Sequence, residues 1–215
     1  AYSIANMITA IISAIATVMF PSLKRLEVQD AVSKFSMLMA TVSVIVFLLL
    51  TAYFPLTFFV KWFLPDYVSS LDYLQIIMPG LALSSCINLI IFTYYKVLNQ
   101  LKQYLFISFG ILLTGGTLNF GGYILYHDPI VFSIASIITL LIWYLCSSRY
   151  LSRSFHTRWR INFVYVLLEM LVFYMVNIVW NNSWKAMLIY FMGFTMTTCL
   201  IYKNYVSDVL HKYRK

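Results

Sequence analysis

The chain consists of long apolar runs separated by short polar segments. Seven runs stand out, at 2–20, 35–60, 71–95, 104–126, 129–148, 162–180 and 185–202. Each is long enough to cross a bilayer as a helix, which takes about 20 apolar residues. None alternates with the period of two that barrel strands show, and such strands are about half as long. The pattern predicts an all-α polytopic membrane protein with about seven transmembrane helices.

Composition points the same way. The chain has 215 residues, of which 62% are hydrophobic and 10% are charged. A soluble domain is about half apolar and about a quarter charged. Cys86, Cys146 and Cys199 lie within apolar runs without CxxC spacing, which is typical of small buried side chains rather than of a metal or redox site.

The basic residues orient the predicted helices. All Lys and Arg except Lys61 and Lys185 fall on one side of the predicted membrane, while Asp66, Asp72 and Asp128 fall on the other. Because cytoplasmic loops collect Lys and Arg, the N-terminus is expected outside and the C-terminus inside, in the cytoplasmic membrane. The net charge of +8 then indicates attraction to anionic membrane lipids. The basic stretch RYLSRSFHTRWR (149–160) fits a loop at the membrane surface better than a nucleic-acid site.

Polar residues inside the predicted spans are the candidate functional residues. Asn6, Asn88 and Asn119 are amides that could line a hydrated path, or could link neighbouring helices. Glu169 is the one acid in the middle of a span. A buried carboxylate there indicates either a functional, proton-linked site or a protonated side chain that is hydrogen-bonded to a neighbouring helix.

Helix-bending residues are the second group of candidates. Pro79 and Gly80 are expected to kink the third span, since proline removes a backbone hydrogen bond. Gly115 and Gly116 belong to a glycine-rich fourth span, which is open to close packing or to flexible gating. The sequence contains no catalytic constellation, no metal-ligand spacing and no cofactor motif.

Several stretches together resemble the Wzx-like polysaccharide flippases of the multidrug/oligosaccharidyl-lipid/polysaccharide exporter superfamily. The first is YSIANMITAIISAIATVMFPSLKRL (2–26), with Tyr2 and Asn6 before a long apolar helix and Pro21-Ser22-Leu23 after it. The second is FLPDYVSSLDYLQIIMPG (63–80), with Leu64 where the family commonly has glycine. The third is YYKVLNQLKQYLF (94–106). The resemblance covers about residues 1–150.

This resemblance implies a division of the chain and a function. Residues 1–150 would form five helices of the second transporter lobe, with Pro21 at a cytoplasmic hinge. Residues 151–215 would form a basic loop, two additional helices and a basic tail. The chain opens at Ala1 inside an apolar run, so an N-terminal lobe is expected to be missing. The implied function is to flip lipid-linked oligosaccharide or polysaccharide repeat units, with the missing lobe, membrane lipids and the polysaccharide assembly machinery as partners.

Three alternatives stay open beside the flippase. A drug or small-metabolite exporter of the same superfamily would favour a more acidic cavity. A seven-helix receptor fits the helix count and orientation but lacks receptor-type motifs. A membrane enzyme, such as a glycosyl polymerase or an acyl transferase, would need a catalytic cluster in outer loops that are short and plain.

Overall fold

The computed structural model describes residues 17–18, 21, 23–25, 28–155, 159–180 and 183–213, and the regular secondary structure of this part of the chain is all helical, without strands. The helices are α1 (Val28–Leu49), α2 (Tyr53–Phe63), α3 (Ser70–Cys86), α4 (Thr93–Val97), α5 (Leu101–Tyr126), α6 (Ile130–Phe155), α7 (Trp159–Trp180) and α8 (Trp184–Tyr213). Short 3₁₀ turns at Leu50–Ala52 and Pro65–Tyr67, and a π-helical segment at Ile87–Phe92, connect or interrupt them.

Six helical stretches are long and apolar enough to cross a membrane. They cover Val32–Phe63, Ser70–Val97, Leu101–Tyr126, Ile130–Arg153, Trp159–Trp180 and Trp184–Lys203. Six of the seven predicted spans are therefore confirmed as apolar helices of spanning length. Of the first predicted span, only residues 17–18 are described, and Asn6 lies outside the described residues. The chain is a multi-pass helical membrane protein.

Proline accounts for the change of helix type inside the first of these stretches. Pro55 has no N–H, so the carbonyl of Thr51, four residues earlier, loses its α-helical donor. The turn just before Pro55 tightens to 3₁₀ geometry at Leu50–Ala52, and helix α2 follows at once. The spanning stretch Val32–Phe63 is therefore continuous, with two α-helices joined by a 3₁₀ turn.

Short connections hold consecutive spans together. Asn99 and His127 end α4 and α5 with a positive φ of 56° and 53°, the left-handed conformation that commonly terminates helices. After His127, the Asp128 carboxylate accepts a hydrogen bond of 2.9 Å from the Ile130 N–H, so it caps the start of α6. Such connections make neighbouring spans antiparallel.

The antiparallel order places the described ends of the spans in two sets. Lys96, Lys102, Arg149, Arg153, Arg160 and Lys203 lie at one end of the bundle. At the opposite end the rings of Phe58 and Trp184 stack at 4.5 Å, which joins α2 to α8. One end of the bundle is therefore basic, and tryptophan is present at the other.

Helices α5, α6, α3 and α1 pack side by side, and the α7–α8 hairpin packs on this row. Helix α5 packs along α6, α6 packs on α3, and α3 packs on α1, while α7 and α8 form a hairpin that contacts α1. The core contains an aromatic cluster formed by Phe47, Tyr53, Phe54, Tyr165, Phe173, Tyr190 and Phe194. This cluster takes residues from both sides of position 150, so one hydrophobic core runs through both predicted segments.

Two tyrosine hydroxyls attach the hairpin to the other helices. Tyr190 of α8 donates to the backbone carbonyl of Phe47 in α1 at 2.9 Å. Tyr174 of α7 donates to the backbone carbonyl of Ile76 in α3 at 2.8 Å. In an apolar environment a hydroxyl needs such a partner, so these bonds fix where the hairpin sits.

Candidate functional site

The most buried of the six spanning stretches, Ser70–Val97, is accessible along only one narrow row of side chains over most of its length. Between positions 77 and 96 every residue is buried except six, which recur every three or four positions along the helix. We call this set the α3 stripe: Ile77, Leu81, Ser84, Asn88, Phe92 and Lys96. Residues three and four apart share one face of a helix. The helix therefore has a single open face, and Ser84 and Asn88 are the polar residues in its middle.

The polar pair of the stripe bonds to its own helix. The Asn88 side-chain Nδ2 donates to the Ser84 Oγ at 3.4 Å. The Asn88 side chain is exposed, although both its chain neighbours are buried. Of the two sequence interpretations, the described contacts show no link from this amide to another helix. They leave it available on an open surface.

The depth of Asn88 places it within the hydrocarbon region. It lies nine residues before the end of the span Ser70–Val97. At 1.5 Å per residue this is about 14 Å from the basic end, close to the middle of a core about 30 Å thick. A lipid tail offers no hydrogen bond to an amide at this depth.

Local backbone geometry sets the direction of the stripe. Asn88 lies in the π-helical segment Ile87–Phe92, where the backbone hydrogen bonds span five residues instead of four. The Thr93 hydroxyl donates to the Asn88 backbone carbonyl at 3.4 Å, so a side chain serves one carbonyl of this segment. A π-helical turn of this kind is frequent at functional sites.

Aromatic rings close the basic end of the stripe. The Phe92 ring packs against Tyr104 of α5 at a centroid distance of 4.9 Å. The Lys96 Nζ lies 4.0 Å from the Phe92 ring centroid, a cation–π contact. Tyr95 stacks on Tyr150 of α6 at 5.9 Å beside them. The stripe thus ends in an aromatic layer at the basic side of the bundle.

The second amide, Asn119, does not share a site with the first. Its Nδ2 donates to the Gly115 carbonyl of its own helix at 2.8 Å. Asn119 lies 18 residues from the basic end of α5, which corresponds to about 27 Å and about 13 Å deeper than Asn88. At this separation the two residues cannot bind one small group together.

Three of the candidate bending residues are buried and two are exposed. Pro79 and Gly80 are buried inside α3, which continues as an α-helix through both, and the change of helix type comes later, at Ile87–Phe92. Gly115 is buried against Thr139 of α6, whereas Gly116 faces open space. Pro21 is exposed, and its carbonyl accepts from the Arg25 N–H at 3.3 Å.

Glu169 lies elsewhere, between α7 and α8. Its side chain is 0% exposed, and its Oε1 is hydrogen-bonded to the Thr197 hydroxyl of α8. Its Oε2 has no hydrogen-bond partner among the described residues. The contact with a neighbouring helix fits the structural interpretation of this acid, while the open Oε2 leaves room for a chemical role.

A row of polar side chains between α7 and α8, which we call the polar seam, was not predicted from the sequence. Besides Glu169 and Thr197, it contains Tyr165–Thr198 at 3.1 Å and Tyr202–Asn162 at 2.9 Å. The spacing of Asn162, Tyr165 and Glu169 at three and four residues was the signal that could have identified it, since such residues share one helix face. Across the ranges that the structure covers, no group of three or more His, Cys, Asp or Glu side chains could hold a metal ion.

Comparison with protein-family models, with curated proteins and with solved structures finds no match to this chain.

Proposed function

We propose that the chain is the second lobe, with two additional helices, of a membrane transporter that flips lipid-linked oligosaccharide or polysaccharide repeat units across the cytoplasmic membrane. The observation that carries this proposal is the α3 stripe, in which Ser84 and Asn88 lie open at mid-membrane depth on an otherwise buried helix. The resemblance of 2–26, 63–80 and 94–106 to Wzx-like flippases supports it.

The chemistry of the stripe suits a sugar better than a lipid tail. Asn88 offers a carbonyl oxygen and, beside its bond to Ser84, a second N–H, and a hydroxyl-rich headgroup can use both. Phe92, about one helical turn from Asn88 in the same stripe, adds an aromatic ring that is partly exposed. A polar headgroup must cross about 30 Å of hydrocarbon, so hydrogen-bonding groups at this depth lower the cost of the passage.

The α3 stripe is suited to be the surface that a second lobe covers. The α3 stripe is narrow and continuous from position 77 to position 96, and the helices on either side bury the rest of the span. A lobe opposite this stripe would enclose a cavity with Asn88 on its wall. The open glycine Gly116 and the amide Asn119 on α5 would lie farther along the same passage.

The test uses cells in which the gene is deleted and the full-length protein is restored as wild type or as Asn88→Leu. Inside-out membrane vesicles are treated with an impermeant glycosidase, and the fraction of lipid-linked glycan that is cleaved reports the inner-leaflet pool. We expect the deletion to trap glycan on the inner leaflet. Asn88→Leu should slow its transfer about fivefold, because one lost hydrogen bond costs about 1 kcal/mol.

A matched control separates the stripe from membrane polarity in general. Thr195→Val removes an exposed hydroxyl on α8 that bonds only to the Met192 carbonyl of its own helix, and it should transport like wild type. If deletion leaves the glycan distribution unchanged and instead raises drug sensitivity, the exporter alternative replaces the flippase. Equal loss in both variants would argue against the α3 stripe as the path.

A further inference from the structure

Glu169 is the most deeply placed acid in the described part of the chain, and it is not paired with a base. Its side chain is 0% exposed. Its single described hydrogen bond is with Thr197, and no Lys, Arg or His side chain of the described residues interacts with it. An isolated carboxylate in an apolar environment is so unfavourable that such a group becomes neutral instead.

The contacts of the Thr197 hydroxyl indicate that Glu169 carries a proton. Three oxygens surround it: Glu169 Oε1, and the backbone carbonyls of Gly193 and Phe194, both at 3.0 Å. A threonine hydroxyl has only one hydrogen, and a residue in mid-helix commonly gives it to a carbonyl one turn earlier. If Glu169 is a carboxylic acid, its own O–H supplies the proton for the contact with Thr197. The Thr197 hydroxyl can then donate to a backbone carbonyl while it accepts a hydrogen bond from Glu169.

Among the described residues, no other charged side chain interacts with Glu169. The titratable side chains of the described residues that face it, or face the aromatic rings beside it, are phenols and one thiol: Tyr165 and Tyr174 on its own helix, Tyr190 and Tyr202 from α8, Tyr53 from α2, Cys86 from α3 and Tyr144 from α6. Helix α1 contributes the Phe47 ring, which packs on Tyr165 at 6.2 Å. The free Oε2 thus faces a neutral site that is too poor in oxygens to coordinate a metal cation.

From these three observations we propose that Glu169 is a proton-binding site between α7 and α8, occupied in this conformation, whose proton release is linked to separation of the two helices. The role goes beyond the proposed transport and does not depend on which substrate moves. The proton sits on the carboxyl group and is held by the Thr197 oxygen. On release it leaves to water, and the carboxylate then requires hydration that the closed seam does not provide.

The seam gives the link between protonation and helix separation. Between Glu169 and the basic end of the bundle, the pairs Tyr165–Thr198 and Asn162–Tyr202 fasten the same two helices. Helix α8 departs from helical geometry at Tyr202, with φ −102° and ψ 17°, so the bond to Asn162 lies at a bend. An ionised Glu169 would admit water among these pairs, and the helices would part on the side that leads to this bend.

Infrared difference spectroscopy of the full-length protein in lipid bilayers tests the protonation directly. The chain has seven acidic residues, and the spectrum of wild type minus that of Glu169→Gln isolates the band of Glu169. We expect a carboxylic-acid carbonyl band at neutral pH that is lost at alkaline pH. A carboxylate band at every pH at which the protein is folded would overturn the proposal.

Distance measurements test the link to helix separation. Spin labels at Leu171→Cys and Met196→Cys, both exposed, report the spacing of α7 and α8 in a background where Cys146 and Cys199 are serine. We expect a longer, broader distance distribution at alkaline pH in wild type and a constant one in Glu169→Gln.

The remaining outcomes decide against the proposal. An acid band that persists at all pH values, together with a constant distance, would make Glu169 a permanent structural acid. A distance change that follows sodium concentration instead of pH would make the site a cation site. Neither readout uses glycan transfer, so failure here leaves the proposed transport standing, and failure of transport leaves this test intact.

Discussion

The glycines of α5 give a prediction for which a neighbouring glycine serves as the matched control. Gly121 and Gly122 are neighbours, but a Cβ added at Gly122 would lie 2.5 Å from Val131 Cγ1 of α6, whereas at Gly121 it would meet nothing within 4 Å. Carbon atoms pack best at about 3.5–4.0 Å, so Gly122→Ala forces an overlap of about 1 Å. Val131 is β-branched and has one strongly preferred rotamer in a helix, so it cannot simply turn aside.

The magnitude follows from the difference between the two variants. Overpacking a close contact costs about 1–3 kcal/mol, and replacing glycine by alanine inside a helix gains about 1 kcal/mol. Because both positions are inside α5, the helix gain cancels in the comparison. We expect Gly122→Ala to be about 1–3 kcal/mol less stable than Gly121→Ala.

A second neighbouring pair repeats the test at a milder contact. A Cβ at Gly115 would lie 3.0 Å from Thr139 Cγ2, while Gly116 faces open space. The Thr139 hydroxyl donates to the Ala135 carbonyl at 2.7 Å, which holds its rotamer, so we expect a difference near the lower limit, about 1 kcal/mol.

The assay is reversible unfolding in mixed micelles of a mild detergent and SDS, followed by circular dichroism. Each alanine variant is compared with the variant at its neighbouring glycine, so expression and micelle effects are shared. The packing of α5 on α6 described above would be refuted if Gly122→Ala were as stable as Gly121→Ala, or if the order of the two were reversed.

Three further predictions concern the remaining contacts. Tyr190→Phe removes the hydroxyl bond to α1, and we expect a loss of about 0.6 kcal/mol in the same unfolding assay, the average for such bonds inside membranes; no loss would contradict the attachment. Thr198→Val should destabilise the protein by a similar amount, because it removes the partner of the Tyr165 hydroxyl, whereas Thr195→Val should have no effect. Cys86 is fully buried, so a lipid-soluble maleimide should label the other two cysteines of the folded protein and reach Cys86 only after SDS unfolding, as mass spectrometry would show.

The sequence predicts the membrane helices well because each is an uninterrupted apolar run. The run at 104–126 became α5, Leu101–Tyr126, and the run at 162–180 became α7, Trp159–Trp180. Hydrocarbon requires every backbone group to be paired within the segment, so length and apolarity alone select a helix. The boundaries of the membrane-spanning stretches shifted by up to five residues, since polar side chains such as Arg153 continue a helix beyond the apolar region.

The candidate site was less predictable, because it depends on which face each helix buries. Periodicity does not reveal that Asn88 is exposed while Asn177, also an amide in a span, is buried. In lipid both faces of a helix are apolar, so the contrast between core and surface that orients a soluble helix is absent. The π-helical turn at Ile87–Phe92 has no composition signal, and the expected irregularity at Pro79 did not indicate it.

That π-helical segment also determines where this chain can change length. In an α-helix each residue turns the chain by about 100°, so deleting one residue rotates everything beyond it away from its contacts. The segment Ile87–Phe92 already holds one residue more than α-helical turns would use. Losing one residue there would restore regular winding and leave Leu83 and Tyr94 facing their present neighbours. In an alignment of related chains, a one-residue gap at this place would mark the presence or absence of the turn, and not a break in the membrane helix.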